Sequence, residues 1–147
     1  LLLDAQKKTL VRFAEISKTS TGKYFDAVAV PYYVIPNATD DFNGGAQTRF
    51  NYMKNNIMPG AVAAIIYQNR VVYAVFADEG SANTIGAASV ATARALGING
   101  DPNTGGTDGL VYYVAFTGRA AVPSPVEDHN AASALGQQLV RALLNAN

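Results

Sequence analysis

Two apolar segments, residues 61–67 and 71–77, constrain the fold of this chain more than any other feature. Only a short polar turn, residues 68–70, separates them. Each segment is apolar at consecutive positions, which is typical of a strand with both faces covered. The pair therefore predicts a buried β-hairpin. Asp78 and Glu79 come directly after it, where the second strand is expected to end in an acidic turn.

The remaining segments predict a mixed order of helices and strands. Pro31 is expected to break a strand or confine it to a sheet edge, because proline lacks a ladder donor. Gly97 is a natural helix stop. We predict helices over 3–17, 86–96 and 131–146, strands over 24–35 and 110–117, a long surface loop over 36–60 with one helical turn near 49–54, and loops elsewhere. This order predicts one α+β domain, residues 1–147, with a small, mainly antiparallel, barrel-like sheet and flanking helices. A double-psi-type barrel is one arrangement compatible with it.

The composition excludes several functional classes. Hydrophobic residues make up 49% of the chain and charged residues 15%, and eleven basic residues balance eleven acidic ones. The sequence has no basic stripe of the kind that indicates nucleic-acid binding. None of its apolar runs approaches the length of a membrane span. The opening leucines are too few for a signal-peptide core. The chain has no cysteine and one histidine, so neither disulfides nor cysteine- or multi-histidine metal sites are expected.

The carboxylates are the main candidates for chemistry. If the second strand continued through Asp78 and Glu79, their side chains would point to opposite faces, and at most one would face a cleft. Asp101 is expected to form a turn. His129 lacks the nucleophile motif of a serine hydrolase, so we expect it to tie its connector to the body of the domain.

Several segments, in the same order along the chain, together resemble the chitosanases of glycoside hydrolase family 75. They are PYYVIP (31–36), GAVAAIIYQNRVVYAVFADEG (60–80), IGAASVATARALGI (85–98), NTGG (103–106), LVYYVAFTG (110–118) and SPVEDHNAASALGQQL (124–139). The resemblance implies a secreted enzyme that hydrolyses β-1,4-linked glucosamine polymers with inversion and without a cofactor. It implies Asp78 as the catalytic base and Ala87 at the position of the family's proton-donating glutamate.

Three departures from the family pattern accompany this resemblance. Ala77 replaces the glycine that precedes the family's aspartate, and Ala87 replaces the glutamate. The acidic motif that usually follows the family's Phe-x-Ala segment is missing after Ala27. Glu79, Asp40 and Asp41 are then the candidate substrate-binding residues. Ala87 is compatible with an engineered change or with natural divergence, and the other two departures favour divergence.

The loss of one carboxylate predicts a weak or inactive hydrolase. An inverting glycosidase uses an acid and a base about 6.5–9.5 Å apart, and general acid catalysis contributes on the order of 10²–10⁴-fold. The predicted function is a chitosanase-like domain that binds amino-sugar polymers and cleaves them poorly, a pseudoenzyme. The alternative is a non-catalytic carbohydrate binder, or a secreted effector or interaction protein that reuses the fold.

Overall fold

The computed structural model describes residues 16–40, 46–47, 50–80 and 85–146. The helix predicted over 3–17 lies outside these ranges except for its last two residues, which are not helical. Asp41 is also outside the described residues. Within the described ranges the strands are β1 (Tyr32–Pro36), β2 (Thr39–Asp40), β3 (Ala46–Gln47), β4 (Val62–Tyr67), β5 (Arg70–Gly80) and β6 (Val111–Ala115), and the helices are α1 (Val90–Leu96) and α2 (His129–Asn145).

Four of these strands form one mixed sheet in the order β1-β5-β4-β6. The β4–β5 and β4–β6 pairs are antiparallel, and the β1–β5 pair is parallel. The sheet curls into a half barrel with helices beside it. This confirms the predicted α+β class with a barrel-like sheet.

The predicted hairpin is confirmed as the centre of this sheet. β4 and β5 pair from Val62 with Val75 to Tyr67 with Arg70. The turn at their junction is tight because Gln68 takes a positive φ of 53°. Both faces of β4 are covered, with Ala63 and Ile65 buried on one side and Val62 on the other, which explains why its residues are apolar at consecutive positions.

Two layers of apolar side chains cover the two faces of the sheet. One, here called the Phe76 layer, includes Tyr33, Ile35, Tyr52, Ile57, Ala61, Ala63, Ile65, Val72, Ala74, Phe76 and Leu96. The other, the Val75 layer, includes Phe25, Ala27, Tyr32, Val34, Val62, Val75, Ala77 and Ala132. Alternate residues of β5 enter alternate layers, as the two-residue period of a strand requires.

The segment before β1 differs from the prediction. Residues 24–26 are irregular, and a turn follows in which the Asp26 carbonyl accepts from the amides of Ala29 and Val30; the strand begins only at Tyr32. The predicted break at Pro31 is therefore correct, whereas the strand predicted before it is wrong. The long segment 36–60 is also not all surface loop, because β2 pairs with β3 and the Tyr52 and Ile57 side chains are buried.

Helix α2 begins two residues earlier than predicted, at His129, and ends at Asn145. α2 packs on the Val75 layer through Ala132 and Leu135, and Leu139 contacts the Phe76 layer. Leu143 and Leu144, near the end of this helix, are 47% and 69% exposed. No helix in the described part of the chain is long and apolar enough to cross a membrane.

Candidate functional site

Asp78 and Glu79 belong to β5 itself, not to an acidic turn after it. β5 continues through both residues to Gly80 because β1 pairs beside it: Val34 with Asp78, Ile35 with Glu79 and Pro36 with Gly80. The register shifts by one residue between Tyr33, which pairs with Phe76, and Val34. One extra residue, Ala77, therefore lies in β5 as a β-bulge.

The bulge determines which face Asp78 takes. Paired residues of neighbouring strands share a face, so Asp78 lies on the side of Val34, in the Val75 layer. Gly80 supports this assignment because a Cβ atom there would lie 3.0 Å from the Val34 Cγ1 atom. Without the bulge, the alternation after Phe76 would have turned Asp78 toward the opposite layer. Ala77 is not in the left-handed region of φ, so alanine fits this position without backbone strain.

Ala87 lies in an extended segment on the other side of β1. The amide of Val34 donates to the Ala87 carbonyl at 3.0 Å, and the amide of Ser89 donates to the Tyr32 carbonyl at 2.9 Å. Tyr33 and Ala88 form an antiparallel bridge between these two bonds. Ala87 is consequently opposite Val34, and its side chain is half-buried against the Val75 layer.

Helix α1 begins later than predicted because of this pairing. Residues 86–89 were predicted to be helical, but the helix starts at Val90. Ser89 is its N-cap, with the Oγ atom accepting from the amides of Thr92 at 3.1 Å and Tyr32 at 3.0 Å. Thr92 Oγ1 in turn donates to the Tyr32 carbonyl. These bonds hold the extended segment against β1. Gly97 ends the helix with a φ of 75°, as predicted.

Asp78, Val34 and Ala87 thus form a row across three adjacent chain segments on one face of the sheet. Neighbouring strands lie about 4.8 Å apart, so two spacings separate the Cα atoms of Asp78 and Ala87 by roughly 10 Å. Side chains of glutamate length at position 87 could approach Asp78 within the roughly 6.5–9.5 Å that separates the two carboxyl groups of inverting glycosidases. A glutamate at position 87 would be compatible with that separation, but this chain has a methyl group there.

Glu79 lies on the opposite face, as the strand argument predicts. Its Oε1 atom accepts a hydrogen bond from the hydroxyl of Tyr52, which belongs to the Phe76 layer. Burial, together with the hydrogen bond to Glu79 and its charge, raises the pKa of the Tyr52 hydroxyl far above its usual range. Tyr52 is therefore a neutral donor near neutral pH, and its bond directs the Glu79 carboxylate away from Ala87.

Burial separates Asp78 from the other carboxylates. Among the side chains that the structure describes, Asp78 is the one buried carboxylate, at 2% exposure. Carboxylates are rarely buried to this extent. Asp101 forms a turn as predicted, and its Oδ1 atom accepts from the amides of Asn103 and Thr104, each at 2.8 Å. These bonds, and one from the Thr104 hydroxyl, lower the Asp101 pKa.

The other predicted residues do not join this row. Asp40 lies in β2, paired with Ala46, and Asp41 is outside the described residues, so their substrate-binding role stays a prediction. His129 is exposed at the start of α2, beside Ser133. His129 was expected to tie this connector to the body of the domain. Glu127 makes such a contact instead, because its carboxylate accepts hydrogen bonds from both the amide and the hydroxyl of Ser20. In the described ranges no three His, Cys, Asp or Glu residues are grouped as a metal site would require.

Two contacts that sequence reasoning missed help to build the site. Val34 is an apolar residue without any chemical signal, and it matters only as the spacer between Asp78 and Ala87. Tyr113, from β6 at the other edge of the sheet, donates to the Gly86 carbonyl at 3.0 Å. Burial raises the pKa of its hydroxyl to about 12, so it remains a donor at neutral pH. The tyrosine-rich strands were the only signal for this contact.

Comparisons with known proteins identify the family of the chain. The sequence profile of the family described as "Fungal chitosanase of glycosyl hydrolase group 75" matches residues 3–142. Two endo-chitosanases of Aspergillus oryzae are each 30% identical to the chain over 129 residues, covering 80% of this chain and 51% of the relative. The chain therefore spans about half the length of these curated relatives. Because the family profile covers almost the whole sequence, the chain belongs to this family, glycosyl hydrolase group 75.

Proposed function

We propose that this chain is a chitosanase-type domain that binds β-1,4-linked glucosamine polymers and hydrolyses them weakly or not at all. The observation that carries the proposal is that Asp78, Val34 and Ala87 form a row on one face of the sheet, with a carboxylate at one end and a methyl group at the other. Family membership supports the substrate class, since the matched relatives are endo-chitosanases. Secretion also remains a prediction.

The proposed mechanism assigns one step to Asp78. Its carboxylate takes a proton from a water molecule, and the water oxygen bonds to the anomeric carbon as the glycosidic C–O bond breaks. The departing oxygen then needs a proton, which a glutamate at position 87 would supply. The methyl group of Ala87 supplies none, so the oxygen must leave as an alkoxide or take its proton from solvent. The rate is expected to fall by on the order of 10²–10⁴.

Glu79 is a poor substitute for the missing donor. It follows Asp78 in sequence, but its side chain is on the opposite face of β5 and is hydrogen bonded to Tyr52. A proton donor must reach the leaving oxygen within hydrogen-bond distance. Glu79 therefore does not restore the pair.

The test is binding and cleavage of a glucosamine hexamer, measured by calorimetry and mass spectrometry. We expect the unmodified chain to bind the hexamer and leave almost all of it intact. Ala87→Glu should raise the cleavage rate by on the order of 10²–10⁴, and the products should have inverted anomeric configuration.

Ala87→Gln is the matched control, because it has the same length but no transferable proton. Equal cleavage by the Glu and Gln variants would refute the role assigned to position 87. Absence of hexamer binding by the unmodified chain would refute the substrate class.

A second candidate function is that of a purely carbohydrate-binding domain. The methyl group at position 87 favours it, because the surface for the polymer can remain after the donor is lost. This function predicts that the hexamer stays bound at unchanged length over days, and that Ala87→Glu binds it without cleaving it. Measurable cleavage by the unmodified chain would exclude this candidate.

A further inference from the structure

Tyr113 reaches across the curled sheet to the segment that carries Ala87. It belongs to β6, in register with Ile65 of β4, and it packs against the Phe76 layer. Its ring centroid lies 6.3 Å from that of Tyr33, and the two ring planes are tilted by 57°. The hydroxyl of Tyr113 donates to the Gly86 carbonyl at 3.0 Å. A ring packed in this way has little rotamer freedom, so its hydroxyl is held beside position 87.

Two peptide units determine the direction of the side chain at position 87. The Gly86 carbonyl and the Ala87 amide belong to one planar unit, and the Tyr113 hydroxyl holds the carbonyl of that unit. The Ala87 carbonyl belongs to the next unit, which the Val34 amide holds at 3.0 Å. Because both units next to the Ala87 Cα atom are hydrogen bonded, the Cα–Cβ bond of this residue has a defined direction.

Little else in the described part of the chain restrains Gly86. The residue is exposed and has a φ of 97°, and a Cβ atom there would meet no described atom within 4 Å. Glycine also adopts more backbone conformations than other residues. Without a partner, the Gly86 carbonyl could turn, and the Ala87 amide would turn with it. The bond from Tyr113 therefore fixes this side of position 87.

We propose that Tyr113 is a positioning residue for position 87, and that it orients the proton donor when this position carries a glutamate. This inference rests on the proposed function and adds a residue from the far edge of the sheet. Tyr113 does not react. The glutamate gives its proton to the leaving oxygen and becomes a carboxylate, while Asp78 receives the proton of the attacking water. A donor displaced by about 1 Å can lose on the order of 10²-fold in rate.

The kinetic experiment uses the Ala87→Glu chain and the glucosamine hexamer. Adding Tyr113→Phe should lower kcat by about 10- to 100-fold, because the donor is no longer held in one orientation. KM should stay nearly unchanged, since phenylalanine keeps the packed ring and the proposal gives Tyr113 no contact with the polymer. Circular dichroism confirms that the variant is folded.

Tyr33→Phe is the matched control. The Tyr33 hydroxyl belongs to the same layer and also donates to a backbone carbonyl, that of Ala61 at 3.1 Å. Its removal costs a hydrogen bond of the same kind but leaves the bond to Gly86 in place. In the Ala87→Glu chain, Tyr33→Phe should therefore leave kcat close to that of the parent.

Hydrogen exchange tests the same role in the unmodified chain, without any activity. Tyr113→Phe should speed exchange of the Val34 amide, which donates to Ala87, about two- to tenfold, as expected for the loss of one neighbouring hydrogen bond. The Phe76 amide, which donates to the Ala61 carbonyl at 2.9 Å, should exchange at an unchanged rate. A general loss of stability would instead speed the exchange of both amides.

The outcomes separate this inference from the proposed function. If Ala87→Glu cleaves the hexamer and Tyr113→Phe leaves its kcat unchanged, the inference is wrong and the proposed function stands. The inference is also wrong if Tyr33→Phe lowers kcat as much, or if the Val34 amide exchanges no faster in Tyr113→Phe. If Ala87→Glu is inactive, the proposed donor position fails, and faster exchange of the Val34 amide alone would still support Tyr113 as the residue that positions this segment.

Discussion

Asp78 and Glu79 are adjacent in sequence but lie in different surroundings. Asp78 is buried on the face of the Val75 layer and is in line with Ala87, whereas Glu79 is half-buried on the face of the Phe76 layer and is bonded to Tyr52. Both are strand residues with the same backbone support from β1. One inserted residue at Ala77 determines which of the two carboxylates faces the position of the missing donor.

The comparison shows that the chemical type of a residue does not decide its role here. Either carboxylate could act as a base, and the sequence offers no way to rank them apart from the family resemblance. The two sides of the strand differ in what they face, and this difference predicts separate effects for changes at the two positions.

The largest expected effect is a difference in hydrolysis rate between variants of Asp78 and variants of Glu79. In the Ala87→Glu chain, Asp78→Asn should reduce hexamer hydrolysis by on the order of 10²–10⁴, because the water would lose its base. Glu79→Gln should leave the rate close to that of the parent, since glutamine can still accept from Tyr52. Rates would be followed by mass spectrometry, with circular dichroism to confirm folding. Similar losses in both variants would contradict the comparison.

A second prediction concerns the helix that covers the Asp78 face. Gly136 of α2 lies directly against the ring of Tyr73 on β5, so a Cβ atom there would clash with the ring. Gly136→Ala should destabilise the fold by about 1–3 kcal/mol, measured by urea unfolding, even though alanine favours helices by about 1 kcal/mol.

The reverse change at the exposed position Ala134 is the control for helix propensity. Ala134→Gly should cost no more than about 1 kcal/mol. Stabilisation by Gly136→Ala would mean that α2 does not pack closely on this face.

A third prediction concerns the Glu79 face. Tyr52→Phe removes the hydroxyl that donates to Glu79 and should destabilise the fold by about 1–2 kcal/mol. The Tyr52 pKa is raised in the folded state. The contribution of this hydroxyl to the free energy of unfolding should therefore be complete below the unfolded-state pKa of about 10 and should decline as pH rises through the folded-state pKa. Urea unfolding at several pH values measures this. The affinity for the hexamer should not change.

Tyr112→Phe, at an exposed tyrosine, is the matched control and should leave stability nearly unchanged. An equal loss of stability in both variants would mean that the bond to Glu79 contributes nothing specific.

The smallest expected effect is a shift in the pKa of Asp101, an aspartate whose carboxylate only stabilises a turn. Its pKa is lowered by the amides of Thr104 and Asn103 and by the Thr104 hydroxyl. Its stabilising effect should therefore be present above about pH 3.9, the ordinary aspartate value, and be lost as pH falls through the lower folded-state pKa. A carboxyl titration by NMR should show this midpoint, and Thr104→Val should move it upward. A midpoint that Thr104→Val leaves in place would contradict the assigned cause.

Much of the fold could be predicted from local signals. The apolar segments predicted the hairpin, Gly97 predicted the end of α1, and Pro31 predicted the break before β1. Local signals failed at residues 86–89, where favourable helix formers are extended because their backbone pairs with β1. They also failed at Tyr52 and Ile57, whose polar surroundings in sequence concealed two buried side chains.

The site was only partly predictable for the same reason. The alternation of a strand was enough to predict opposite faces for Asp78 and Glu79. The choice of face was not, since it depends on the register between β1 and β5, which are far apart in sequence. Tyr113 and Gly86 likewise meet only because the sheet curls and brings its two edges together.

The sequence alone determined the α+β class, the central hairpin, the family, and the presence of alanine where the family has its second carboxylate. These follow from local periodicity and from residue identity, which are properties of the chain itself. Only the tertiary structure decided that Asp78 and Ala87 share a face two strand spacings apart and that Glu79 does not. That arrangement depends on a bulge and on two non-local strand pairings, and hydrogen bonds between distant segments leave no periodic signal in the sequence.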